Sequence, residues 1–200
     1  GDGAAQDGRH GLKVHLPEAD QVSWYTSATY SDGAQPTDPC VPAQAWISRA
    51  PNNPFRFNEV MALNSTFVTD EAGGYADWVE IVNTGDAPVN VAGLHLTNRR
   101  SEPQRFTFPS FTVDAGDHRV LWCDNDPEDG PLHTSFNVES SGDDLILSVW
   151  DEFGWRCVDQ IAWDTQQLPN TSYGRVTDGG DTWTTFVPGT NTPPTPNAPN

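Results

Sequence analysis

Across 200 residues, 28 Asp and Glu stand against 10 Lys and Arg, a formal net charge of −18. A field of that sign repels nucleic acid and anionic membranes and attracts divalent cations; the only basic cluster, Arg99, Arg100 and Arg105, encloses Glu102. No apolar run approaches the roughly 20 residues that a membrane-spanning helix needs, and the length suits one good-sized domain burying about 70% of its unfolded surface.

Residues 1–11 are Gly- and Asp-rich, with nothing to bury, and read as a frayed tail. Residues 12–16 (LKVHL) and 21–26 (QVSWYT) alternate apolar and polar around the turn formers Pro17-Glu18-Ala19-Asp20, the pattern of a small β-hairpin. Proline and turn formers fill residues 31–54, where Trp46 and Ile47 are the obvious anchors. An isolated hairpin is marginal in water, so residues 1–54 are expected to form an extension packed on the main domain. The chain opens at Gly1 and its single methionine is Met61, so a trimmed form is expected, any targeting segment lying out of view.

Regular patterning begins at Phe55. Strands are expected at 56–63, 77–83, 89–92, 94–97, 105–108, 119–123, 145–150, 157–163 and 172–176, separated by turn signals such as Gly73-Gly74, Thr84-Gly85-Asp86, Ala115-Gly116-Asp117 and Ser141-Gly142-Asp143. Short strands at that spacing, with no sustained helical period, predict an all-β sandwich or barrel. Beyond Val187, prolines at 188, 193, 194, 196 and 199 forbid an interior strand and suit a strap along an edge. Cys40, Cys123 and Cys157 lack any CxxC spacing; one disulfide plus a free thiol, or three buried thiols, both fit.

Several of these segments carry a resemblance. Asn58-Glu59-Val60-Met61-Ala62 followed by Asp77-Trp78-Val79-Glu80-Ile81-Val82-Asn83 resembles the opening of a lamin-tail domain. In order come Thr84-Gly85-Asp86-Ala87-Pro88-Val89, His133-Thr134-Ser135-Phe136, Ser141-Gly142-Asp143-Asp144-Leu145, and Ser172-Tyr173-Gly174-Arg175 with Asp178-Gly179 and Trp183. The terminal Pro194-Thr195-Pro196-Asn197-Ala198-Pro199-Asn200 is similar to that family's closing segment, with Asn197 where Gly is usual. The resemblance implies an immunoglobulin-like β-sandwich over residues 55–200 and leaves 1–54 uncovered. It is nearest to bacterial members, which are accessory modules of secreted or surface proteins, and the chain has no coiled-coil rod through which filaments could assemble.

Two loops have the composition of cation sites. Asp124, Asp126, Glu128 and Asp129 crowd a loop ending at Gly130, and Asp70, Glu71 and Asp77 flank Gly73-Gly74. Hard cations such as Ca²⁺ take six to eight oxygens, which closely spaced carboxylates supply, and one ion could join both loops if they share an end of the sandwich. Solvated acidic turns have the same composition, and the closing Glu of an EF-hand loop is missing. His133 reads first as a hydrogen-bonding structural residue, with a metal role as the lesser alternative.

Catalytic patterns are sparse. GxSxG, HExxH and phosphate-binding loops are absent. Glu59 and Glu80 on adjacent predicted strands could form an acid/base pair for a small hydrolase, although strand carboxylates more often face solvent or pair with Arg. Of the eight tryptophans, Trp78, Trp122, Trp150 and Trp163 fall in strands and are expected to pack. Trp24, Tyr30, Trp46 and Trp155 could instead form a sugar-stacking or docking platform, or simply cover a sheet face. Sequons occur at Asn64 and Asn170. The expectation is therefore a non-catalytic, extracytoplasmic binding or scaffolding module with calcium as its cation, recognising a protein or a cell-surface glycan. A carbohydrate-binding module is the alternative.

Overall fold

The computed structural model describes Ala50, residues 53–151 and residues 154–200. The expected hairpin, the lead-in to residue 49, and Trp24, Tyr30 and Trp46 lie outside the described residues. Within them, eleven strands and no helix occur: β1 Phe55–Met61, β2 Trp78–Asn83, β3 Val89–Asn90, β4 Leu94–Thr97, β5 Phe106–Thr107, β6 Thr112–Val113, β7 His118–Trp122, β8 Asp143–Asp151, β9 Gly154–Trp163, β10 Ser172–Arg175 and β11 Trp183–Phe186. They form a five-stranded sheet ordered β11-β10-β1-β2-β7, a four-stranded sheet ordered β5-β4-β8-β9, and a small β3-β6 pair. All strand pairs are antiparallel. This is the all-β sandwich that the pattern allowed, in the immunoglobulin-like form that the resemblance implied.

Alternation decides which side chains meet between the sheets. Phe55, Phe57 and Val60 of β1, Val79 and Ile81 of β2, Leu121 of β7, Leu94 and Leu96 of β4, Leu145 and Leu147 of β8, and Val158 and Ile161 of β9 form one apolar core. The intervening positions of the five-stranded sheet are not solvated. Met61, Trp78, Val120 and Trp122 form a second cluster on its outer face, where Phe67 and Val68 of the β1–β2 connector pack over them. β2 is consequently buried at every residue, which is why its sequence WVEIVN is nearly continuously apolar rather than alternating.

Two strands escaped the pattern reading. β6 is two residues long, and β11 sits among Gly, Asp and Thr. Each is defined by its partner, Val89↔Val113 and Ser172↔Phe186, rather than by local propensity. The proline-rich tail also departs from expectation: it crosses the outer face of β1 and β2, in the middle of the sheet, instead of following an edge. The Thr195 N–H donates to Glu59 on β1 and the Asn197 N–H to Glu80 on β2.

Candidate functional site

The β1–β2 connector and the loop after β7 meet at one end of the sandwich. Gly73, with φ of 88°, turns the connector back on itself in the left-handed region where glycine is favoured. Asp70 becomes buried, and its Oδ1 accepts the Gly74 N–H at 2.8 Å. From the other side, Asp124 Oδ1 accepts the Asp126 N–H at 3.1 Å in an Asx turn, and the chain then returns to β7 through the HTSF segment. There His133 bridges in parallel to Trp122, with the Trp122 N–H donating to Leu132 at 2.9 Å and the Thr134 N–H to Trp122 at 2.8 Å.

The result is a mixed cluster. Asp70, Asp124, Asp129 and His133 each offer one ligand atom, all within 4.8 Å of one another. His133 is 1% exposed; its Nδ1 lies 2.6 Å from Asp124 Oδ2 and its Nε2 3.3 Å from Glu71 Oε1. The first contact is a hydrogen bond; the second lacks hydrogen-bond geometry, which leaves Nε2 enclosed without a hydrogen-bond partner. Gly130 makes the approach feasible, since a Cβ there would stand 2.7 Å from Glu71 Oε1 and 3.2 Å from His133 Cδ2. Burial disfavours the charged imidazole, but the hydrogen bond and charge of Asp124, followed by Glu71, outweigh it and raise the His133 pKa above its ordinary value. Asp129, at the rim, is raised by partial desolvation and by the charges of Asp126, Asp70 and Asp124, against the pull of His133.

Of the seven carboxylates singled out in sequence, Asp70, Asp124 and Asp129 enter this group and Glu71 abuts it. Asp126 and Glu128 are exposed outside it. Asp77 serves the backbone instead, its Oδ1 accepting the Asn64 N–H at 2.7 Å and holding the start of the connector. Burial raises its pKa and that hydrogen bond opposes the rise. His133, read first as structural with a metal role as the lesser alternative, is the residue under-weighted. Its signal was its place in HTSF immediately after the acidic loop, which obliges the chain to double back onto Asp124.

Glu59 and Glu80 form a second carboxylate site, and here a sequence reading is corrected. They neither face solvent nor pair with arginine. Both are fully buried cross-strand partners on the outer face of the sheet. Ser172 Oγ donates to Glu59 Oε1, Asn58 Nδ2 donates to Glu80 Oε1 at 3.0 Å, and the Asn197 N–H donates to Glu80 Oε2 at 2.5 Å. Burial pushes Glu80 up to about 8 against the bonds from Asn58 and Asn197, with Glu59 and Asp178 adding like charge. Glu59 is raised for the same leading reason, opposed by Ser172 and Thr195. Asn200 Nδ2 donates to the Arg175 carbonyl at 2.7 Å, so Asn200 Oδ1 faces Thr195 Oγ1 at 2.6 Å as an acceptor. Thr195 Oγ1 also lies 3.1 Å from Glu59 Oε2 as a donor, so its hydroxyl is shared between Asn200 and Glu59.

Among the aromatics, Trp155 is half-buried, edge-on to His95 at 5.0 Å and to Trp150 at 5.1 Å. Trp150, expected to pack, is 61% exposed, because the β8–β9 hairpin runs on past the end of its neighbour β4. Trp155 also borders an open depression with Glu102, Pro103, Gln104 and Arg105. Cys123 is a buried free thiol whose pKa burial raises far above the ordinary value. It is not a redox-poised group.

A family model described as Lamin Tail Domain matches residues 49–182. No curated protein matches the chain.

Proposed function

Because the chain belongs to the lamin tail domain family, with its immunoglobulin-like sandwich, we propose that it is a non-catalytic binding and scaffolding module of a secreted or cell-surface protein. The observation that carries this reading is the fate of Glu59 and Glu80. The two paired carboxylates best placed for hydrolytic work are sealed beneath residues 195–200, and their oxygens are engaged by Ser172, Thr195, Asn58 and Asn197. A general acid or base needs a route to substrate, and this pair is spent on anchoring the chain's own terminus. The strongly negative field supports a setting away from nucleic acid, with a protein as the main partner class.

The exposed Trp150 and adjoining Trp155 favour one second reading, a carbohydrate-binding module. Sugar rings present a C–H face that stacks on indole, and this pair stands at a hairpin tip within reach of a polymer. One experiment addresses both readings. The protein is assayed for turnover of polysaccharide, peptide and ester substrates, and for oligosaccharide binding by tryptophan fluorescence. The expected outcome is no turnover. Turnover abolished by Glu80→Gln would sink the non-catalytic reading. Saccharide binding weakened at least about tenfold by Trp150→Ala would select the carbohydrate reading, and its absence would select a protein partner.

A further inference from the structure

We infer that Asp70, Asp129 and the Nε2 atom of His133 bind a divalent cation of the zinc class, with Asp124 orienting the imidazole from its far side. Carboxylates alone suggested calcium, but the nitrogen donor changes the chemistry. Zinc, and the cobalt that substitutes for it, combine imidazole with carboxylate ligands at about 2.0–2.2 Å, whereas calcium takes oxygens alone and six to eight of them.

Two separate observations converge on the site. The first is spatial: two loops far apart in sequence place ligand atoms of Asp70, Asp124, Asp129 and His133 within 4.8 Å of one another, so that Asp70 and Asp129 stand within reach of an ion held by His133. The second is the orphaned nitrogen. His133 Nε2 is shielded from water and has no partner in hydrogen-bond geometry, its nearest carboxylate oxygen being Glu71 Oε1 at 3.3 Å, so a group that occupies its lone pair is favoured there. Asp124, at 2.6 Å from Nδ1, selects the tautomer with the proton on Nδ1 and the lone pair on Nε2. This carboxylate–histidine arrangement is the one that prepares a histidine for metal. Glu71, 3.3 Å from Nε2, stands beside the position an ion would take and can complete or shield its coordination.

The cation would staple the β1–β2 connector to the loop after β7 and offset the mutual repulsion of Asp70, Asp124 and Asp129. It is independent of the binding reading above, because it would stabilise the fold whatever the partner is.

The test uses the whole chain, stripped with chelator. Calorimetric titration with Zn²⁺ and with Ca²⁺ should give one stoichiometric Zn²⁺ site at least about tenfold tighter than any Ca²⁺ binding. Co²⁺ substitution should give visible d–d bands that Zn²⁺ abolishes. His133→Gln should abolish this site, leaving only weaker binding at other histidines. Because a buried substitution can unfold the protein, Asp129→Asn at the exposed rim is the companion variant. It should weaken Zn²⁺ at least about tenfold while the unliganded melting temperature stays within a few degrees. Equal or tighter Ca²⁺ binding, Zn²⁺ binding indifferent to Asp129→Asn, or no stoichiometric binding would each overturn the proposal. In the last case His133 would be an imidazolium bridging Asp124 and Glu71 without metal.

Discussion

Glu80 shows how one side chain can be read correctly as chemistry and wrongly as location. In sequence it is the polar interruption of an apolar strand, and alternation puts it on the face opposite Val79 and Ile81. That inference holds; what alternation cannot show is that the opposite face is covered as well. Burial beneath Asn197 raises its pKa to about 8, and the sign of the consequence follows. A carboxyl that binds its proton more tightly when folded stabilises the native state fully below the unfolded value near 4.5, and that contribution is gone above about 8. Stability should therefore fall as pH rises from about 4.5 to 8, by on the order of a few kcal/mol for the coupled Glu59–Glu80 pair. Self-repulsion of an acidic chain pulls in the same direction, so the informative quantity is the difference from a variant. Glu80→Gln should cost stability at pH 5, where its amide cannot accept from both Asn58 and Asn197, and should show a flatter decline to pH 9. Urea unfolding across that range measures it; parallel slopes for the two proteins would mean that Glu80 is ionised when folded.

The C-terminal strap is legible only in part. Its prolines announce a segment that cannot enter a sheet interior, but its landing place depends on side chains more than a hundred residues away. Asn197 is the hinge of that docking. Its φ of 60° lies in the left-handed region, which Gly adopts freely and Asn tolerates better than most other residues. Its Oδ1 accepts the Val120 N–H at 3.0 Å while its own N–H meets Glu80. Replacing it with Gly or Ala removes the same side-chain hydrogen bond, so the difference between the two variants isolates backbone strain. Asn197→Ala should be less stable than Asn197→Gly by about 1–2 kcal/mol; equal midpoints in chemical denaturation would show that the strap bends elsewhere. The connector behaves likewise. Gly73-Gly74 predicted its reversal, yet the meeting of Asp70 with His133 is a long-range event that no local period encodes.

At the scale of the molecule, fold class was legible because a sandwich is written in short alternating strands and turn residues, whereas the features that join its layers were not. One tie between the two sheets is Arg175, which sequence offered only as the end of Ser-Tyr-Gly-Arg. It is 4% exposed. Its Nε donates to the Phe57 carbonyl at 2.6 Å, Nη1 to the Gly180 carbonyl, and Nη2 to Asp159 of β9 in the opposite sheet at 2.9 Å, while the guanidinium lies 4.5 Å from the Trp183 ring centroid. Asp159 in turn accepts the Phe57 N–H at 2.9 Å, beside the register shift between Phe57 and Glu59 where β1 changes its presentation. Neighbouring Gly174 lets this strand lie close, since a Cβ there would come within 2.8 Å of Phe186. A planar fork with donors in three directions meets this geometry and an ammonium does not. Arg175→Lys keeps the charge but leaves at least one carbonyl unpaired and loses the stack on Trp183, so it should cost about 2–3 kcal/mol. Arg175→Met, which leaves Asp159 with only the Phe57 N–H and a 3.8 Å contact to Arg56, should cost about 2–4 kcal/mol, and adding Asp159→Asn should recover part of that loss. Urea denaturation of the three variants decides the matter. A loss below about 0.5 kcal/mol in the lysine variant would mean that packing alone holds the sheets together and that the buried pair is incidental.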